Sequence, residues 1–201
     1  MSGAFASLAA KRRSVYPLGK DLPLGDGAVI DIIKEAIRQA PSAFNSQSSR
    51  ALILLGQEHE KFWALTREQL RKRVPADKFQ PTSDKIDSFA AAAGSVLFFE
   101  DQDVVSDLQR KFPTYADNFP VWSEHSTGIA QYAVWLALAE KEIGANLQHY
   151  NPLVDEDVQA AWNIPASWKL CGQMNFGSIA LTEPLPAKSF IDDNDRFIIA
   201  K

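Results

Sequence analysis

Two short stretches carry most of the chemistry that this 201-residue chain can offer. Lys11-Arg12-Arg13-Ser14-Val15-Tyr16 sets two guanidiniums and two hydroxyls close together near the start. Paired guanidiniums suit a phosphate, because their planar forks donate bidentate, charge-assisted hydrogen bonds. The alternative is a solvated basic turn. Ala40-Pro41-Ser42-Ala43-Phe44-Asn45-Ser46-Gln47-Ser48-Ser49-Arg50 is crowded with amides and hydroxyls. Each Asn or Gln amide both donates and accepts, so such a loop can address the edge of a planar heterocycle. Ser and Asn are also ordinary turn residues, so a plain helix–strand connection is the competing reading.

The elements on either side hold this loop in place. Over 28–39, Ala28, Val29, Ile32, Ile33, Ala36 and Ile37 recur at helical spacing, opposite Asp31, Lys34, Glu35 and Arg38. Asp26 is placed to cap that helix, and Pro41 stops it because proline lacks an amide donor and its ring clashes with the preceding turn. The apolar run 50–56 predicts a strand, and 58–74 an exposed, charged helix carrying Phe62, Leu65 and Leu70. Ser83 to Ala93 reads as a helix with Gly94 as its stop. Ser95-Val96-Leu97-Phe98-Phe99 reads as a strand buried on both faces. A short helix and an aromatic-rich loop fill 104–119. Residues 126–143 are so uniformly apolar that a helix there must be covered all round, by its own domain or by a second subunit. A strand edge at 147–150, a short helix at 155–162 and a strand at 170–182 follow. The proline-bearing tail from Pro184 is longer than its own core needs, which fits an arm embracing a partner.

Composition narrows the function classes. The formal net charge is −4, which opposes a nucleic-acid surface or an anionic membrane surface, since both call for clustered positive charge. No run approaches the ~18 apolar residues of a membrane span. The basic residues follow the mildly apolar start, the reverse of a secretory leader, so a cytoplasmic location is expected. The single cysteine, Cys171, sits in an apolar run and reads as a buried inert thiol. His59, His125 and His149 form no close pair, and neither HExxH nor CxxC occurs, so no metal site is expected. GxGxxG, GxxxxGK[ST] and GxSxG are also missing. An enzyme of this composition would leave its reactive chemistry to an organic cofactor.

Taken in order, Arg12-Arg13-Ser14, then Pro41-Ser42-x-x-Asn45-x-Gln47, then Leu97-Phe98-Phe99-Glu100-Asp101 resemble the FMN-dependent nitroreductase family. Trp122-Ser123-Glu124-His125-Ser126, Leu147-Gln148-His149-Tyr150-Asn151-Pro152 and Gln173-Met174-Asn175-Phe176-Gly177 are similar to its fatty-acid-repression-mutant-like branch. The resemblance spans nearly the whole chain. It departs from the wider family at Ser48-Ser49, where Pro-Trp is common, and at Tyr16, where a basic residue is common.

The resemblance implies an α+β fold, a three-layer α-β-α sandwich with a central mixed sheet. It implies one domain over 1–201 in an intertwined homodimer, with 184–201 as an arm to the partner subunit. FMN would lie in the dimer interface. Arg12, Arg13, Ser14 and Tyr16 would hold its phosphate and ribityl chain, completed by Arg196, with Lys188 as the second choice. Ser42, Asn45 and Gln47 would approach the rings from the partner. Lys85 would face the pyrimidine edge, and Gln148, His149 and Tyr150 would line the other side. No side chain is expected as a nucleophile. The implied activity is hydride transfer from NAD(P)H through flavin N5 to a small nitroaromatic or quinone-type acceptor, in a ping-pong cycle. A flavin-binding redox sensor with little turnover is the alternative.

Overall fold

The computed structural model describes residues 3–201. In chain order the strands are β1 (Leu18–Gly19), β2 (Ser49–Leu55), β3 (Gly94–Asp101), β4 (Gly144–Gln148) and β5 (Trp168–Ile179). The helices are α1 (Ala4–Lys11), α2 (Asp26–Gln39), α3 (Gly56–Arg71), α4 (Gln80–Ala90), α5 (Gln102–Lys111), α6 (Phe119–Glu140), α7 (Asp155–Trp162) and α8 (Asp193–Arg196). Strand β3 lies between β2 and β5, while β4 and β1 also pair with β5. These ladders are antiparallel. An isolated parallel bridge between Ser14 and Ala145 lies outside these strands, so the sheet itself is antiparallel where a mixed one was expected.

Successive side chains of a strand point to opposite faces, and β3 shows why both faces are covered. Val96 and Phe98 pack with Val29 and Ile33 of α2 and Val134 and Leu138 of α6. Leu97 and Phe99 pack with Phe62 and Trp63 of α3, Ile86 and Phe89 of α4 and Val158 of α7. The result is an α-β-α sandwich. Gly94, expected to end a helix, instead opens β3. A Cβ there would stand 2.5 Å from the Phe176 ring and 2.6 Å from the Leu54 carbonyl oxygen.

Other expectations need correction. Asp26 does not cap α2: Gly25 is the N-cap, no side chain caps it, and Asp26 begins the first turn, where its charge suits the helix dipole. Helix α4 starts at Gln80, before Ser83, because Pro81 is compatible with a first turn, whose amides are free anyway. For the same reason Pro120 lets α6 begin at Phe119. Helix α3 is not simply exposed, since His59, Phe62, Trp63 and Thr66 form a buried stripe at i, i+3, i+4 and i+7. Outward from the sheet, α6 leaves Ile129 and Tyr132 exposed, so the chain itself does not cover this helix all round.

A polar network threads the core from α3 to the start of the chain. The His59 Nε2 lies 3.1 Å from the Phe89 carbonyl oxygen, and Nδ1 lies 2.9 Å from the Ser95 hydroxyl. A carbonyl only accepts, so a neutral ring carries its proton at Nε2 and donates to Phe89, while the Ser95 hydroxyl beside Nδ1 donates to Asn175 Oδ1 at 2.8 Å. The Trp63 Nε1 donates to Asn175 Oδ1 at 3.0 Å, Asn175 to Asn146 Oδ1 at 3.2 Å, and Asn146 to the Val15 carbonyl at 2.8 Å. Burial pushes the His59 imidazole down from 6.5 to about 4. The unfolded chain therefore binds the extra proton first, and His59 adds stability above pH 6.5 that is lost as pH falls towards 4. We expect a loss of ~3 kcal/mol across that window. Denaturant midpoints against pH check it, and His59→Gln should flatten the slope there.

Candidate functional site

The Val15 end of this network positions the basic motif. Helix α1 ends at Lys11, and the backbone then extends so that Val15 N donates to the Ala145 carbonyl at 2.9 Å. Beside it opens a cleft of about 450 Å³ whose polar lining is Arg12, Arg13, Ser14, Tyr16, Lys188 and Ser189. The Arg12 guanidinium lies over the Trp135 ring of α6, 4.5 Å from its centroid. Its Nε is buried without a hydrogen-bond partner. The Lys188 ammonium donates to the Ala9 carbonyl at 3.0 Å. Burial first, and then the charges of Arg12 and Arg13, hold Lys188 below the usual lysine value. Among the described residues no carboxylate lies within 4.0 Å of Arg12, Arg13 or Lys188. Three clustered cations without an acid, one with an orphaned buried donor, fit an anion rather than a solvated turn. Arg196 does not line this cleft. It sits on the exposed tail, 5.7 Å from the ring centroid of its neighbour Phe197.

The amide-rich loop has an unusual backbone. Its short helical turn, Ala43–Asn45, and the residues after it hold Phe44, Asn45 and Gln47 at φ of 55°, 49° and 47°. The Ser42 hydroxyl accepts from Gln47 N at 2.9 Å, which closes the turn and leaves the Asn45 and Gln47 residues exposed. Phe44 is turned onto an aromatic wall. Its ring centroid lies 4.9 Å from Phe112, 5.3 Å from Phe119 and 5.9 Å from Trp122, nearly parallel to the last at 18°. An open, mainly apolar cavity of about 460 Å³ lies between Pro41, Ser42, Phe44, Trp122, His125 and Ile129. Gln47 and Ser42 also line a smaller cavity beside Ser126.

The remaining predicted residues line neither cavity. Lys85 is exposed on α4, its ammonium 5.7 Å from the Phe89 ring centroid. Gln148 donates to Asn146 Oδ1 at 2.9 Å, and His149 is exposed. The Tyr150 amide donates to Gln173 Oε1 at 2.7 Å. Its ring packs 5.5 Å from Trp63, and burial pushes its phenol up. The residues that sequence reasoning missed are Phe44, Trp122 and His125. Trp122-Ser123-Glu124-His125 stood out only as a run, with no role attached. Cys171 is buried, donates to the Lys169 carbonyl at 3.3 Å and is pushed up to about 11 by burial, which suits an inert thiol.

A family model described as "Nitroreductase family" matches residues 9–178. The Saccharomyces cerevisiae nitroreductase FRM2 is 34% identical over 199 residues, covering 96% of this chain and 95% of its own. The structure of nitroreductase CinD from Lactococcus lactis in complex with chloramphenicol is 50% identical, with a TM-score of 0.89 over 98% of this chain and 100% of its own. A nitroreductase with bound FMN from Desulfitobacterium hafniense shares the fold at 17% identity, with a TM-score of 0.72 and full coverage of both chains.

Proposed function

The chain belongs to the nitroreductase family, and from that premise we propose that it is an FMN-dependent oxidoreductase, passing hydride from NAD(P)H to a nitroaromatic or quinone-type acceptor. The observation that carries this reading is the basic cleft: the buried Arg12 Nε lacks a partner, and among the described residues no acid pairs with Arg12, Arg13 or Lys188. The dianionic phosphate of FMN would satisfy both deficits.

On this reading Arg12, Arg13 and Lys188 bind the phosphate, while Ser14 and Tyr16 supply hydroxyls beside it. Arg196 would join them if the partner's arm brought it there. Ser42, Asn45 and Gln47 face the ring system from the partner subunit. Lys85 favours negative charge at the pyrimidine edge, and Gln148 to Tyr150 close the other side. Bound FMN supplies the hydride relay at N5, so the side chains need only position, orient and exclude water. The cavity of Phe44 and Trp122 supports a flat acceptor, since offset or stacked aromatic pairs gain beyond their area burial. A homodimer would cover Ile129 and Tyr132 of α6 and the apolar tail residues Phe190, Ile191, Phe197, Ile198 and Ile199, all exposed in one chain. Among the described residues no helix is long and apolar enough to cross a membrane.

The purified protein should be yellow or take up added FMN. Anaerobic NADH or NADPH should bleach it, and a nitroaromatic or a quinone should restore the colour. A colourless preparation that takes up no FMN would refute the reading, and a yellow one bleached by neither nucleotide would favour the redox sensor.

A further inference from the structure

The end of β3 holds a group that the proposed chemistry does not use. Glu100 is fully buried and has no cation within 4.0 Å among the described residues. Its carboxyl instead accepts three hydroxyls: Ser48 at 2.5 Å, Ser49 at 2.5 Å, and Thr127 of α6. A buried carboxyl without an ion pair is costly unless hydrogen bonds satisfy it, so this site is maintained against its own desolvation. Asp101 grips the same stretch differently. Its carboxylate pairs with Arg50 at 3.0 Å, Arg50 donates to the Gln47 carbonyl at 2.6 Å, and the Asp101 amide donates to the Ser48 carbonyl at 3.0 Å.

These anchors sit directly after the three left-handed residues Phe44, Asn45 and Gln47. Left-handed backbone is uncommon outside glycine and persists where the surroundings over-determine it. Thr127 follows Ser126, which lines the aromatic cavity, so one carboxyl is bonded both to the end of the loop and to α6.

We propose that Glu100, with Ser48 and Ser49, is a latch that sets the conformation of the 42–47 loop and thereby the shape of the aromatic cavity. It is a positioning group and touches no reacting atom. Its bearing on cofactor binding rests on the flavin reading above; its hold on the loop does not.

Hydrogen exchange by mass spectrometry on the protein as purified tests the latch. In Ser48→Ala/Ser49→Ala and in Glu100→Gln, amides of residues 43–47 should exchange at least about tenfold faster, the factor that one or two lost hydrogen bonds represent. Amides of β3 and β5 should be unchanged. Thr127→Val removes a bond to the same carboxyl without touching the loop, and should leave 43–47 protected. Unchanged loop exchange, or equal acceleration of the sheet and the loop in all variants, would overturn the proposal. If Glu100→Gln does not fold, the serine pair decides. Titrating FMN into apoprotein separates the two readings. Wild type that binds no FMN refutes the flavin function and leaves the exchange result standing. A loosened loop with unchanged FMN affinity overturns the loop's place against the cofactor.

Discussion

Arg12→Ala combined with Lys188→Ala is expected to give a folded protein that binds FMN ~10²–10⁴-fold more weakly. Each of the two side chains would give the phosphate one charge-assisted hydrogen bond worth ~1.5–3 kcal/mol, and every 1.4 kcal/mol is tenfold in affinity. The fold should survive because neither residue is fully buried and neither pairs with a carboxylate. Arg12 also gives up its contact over Trp135, worth ~0.5–2 kcal/mol. Fluorescence titration of FMN into apoprotein, beside circular dichroism, checks both halves of the expectation. Affinity within threefold of wild type would remove the phosphate assignment. Since Arg196 lies outside the cleft of its own chain, a comparable loss on Arg196→Ala would report an arm crossing from the partner.

Trp63→Ala carries the largest expected effect on stability. Trp63 is fully buried, with its ring 4.8 Å from Phe62 and 4.8 Å from Phe89. Truncating a core tryptophan costs ~3–5 kcal/mol through lost transfer energy and the cavity left behind. It also removes the Nε1 donor to Asn175, whose Oδ1 keeps the Ser95 hydroxyl as a partner, so the lost hydrogen bond adds ~0.5–1.5 kcal/mol. Most small domains have only ~5–15 kcal/mol in all, so Trp63→Ala should be largely unfolded at moderate temperature. Trp63→Phe separates the contributions, because it keeps most of the packing and loses only the donor. Chemical denaturation of both variants measures the difference, and equal losses would mean the hydrogen bond is the dominant part.

How far the sequence discloses this molecule depends on whether a segment has a core-facing period. The strand around Val96-Leu97-Phe98-Phe99 is legible because its apolar residues are the ones buried. Helix α1 is not, since it buries no residue and so has no apolar stripe to read. The buried stripe of α3 is hidden because His59 and Thr66 are polar; their burial is explained by bonds from His59 to Phe89 of α4 and Ser95 of β3, and from Thr66 to the Phe62 carbonyl of its own helix. The types of Arg12, Arg13 and Ser14 raise a phosphate site beside a solvated turn without deciding between them. Lys188 reaches the same cleft because the tail folds back across the molecule, which no local pattern encodes. Asn45 and Gln47 draw notice as amides, yet the strained turn that presents them is held by Glu100, which in sequence is only an acid at the end of an apolar run.

The contact between Lys188 and Ala9 joins positions 179 residues apart. A chain still being synthesised, with its later portion inside the ribosome, has Arg12 and Arg13 in the open long before Lys188 emerges. The cleft that Arg12, Arg13 and Lys188 share is therefore complete only once Lys188 has left the ribosome, and if it holds FMN as proposed, loading is post-translational.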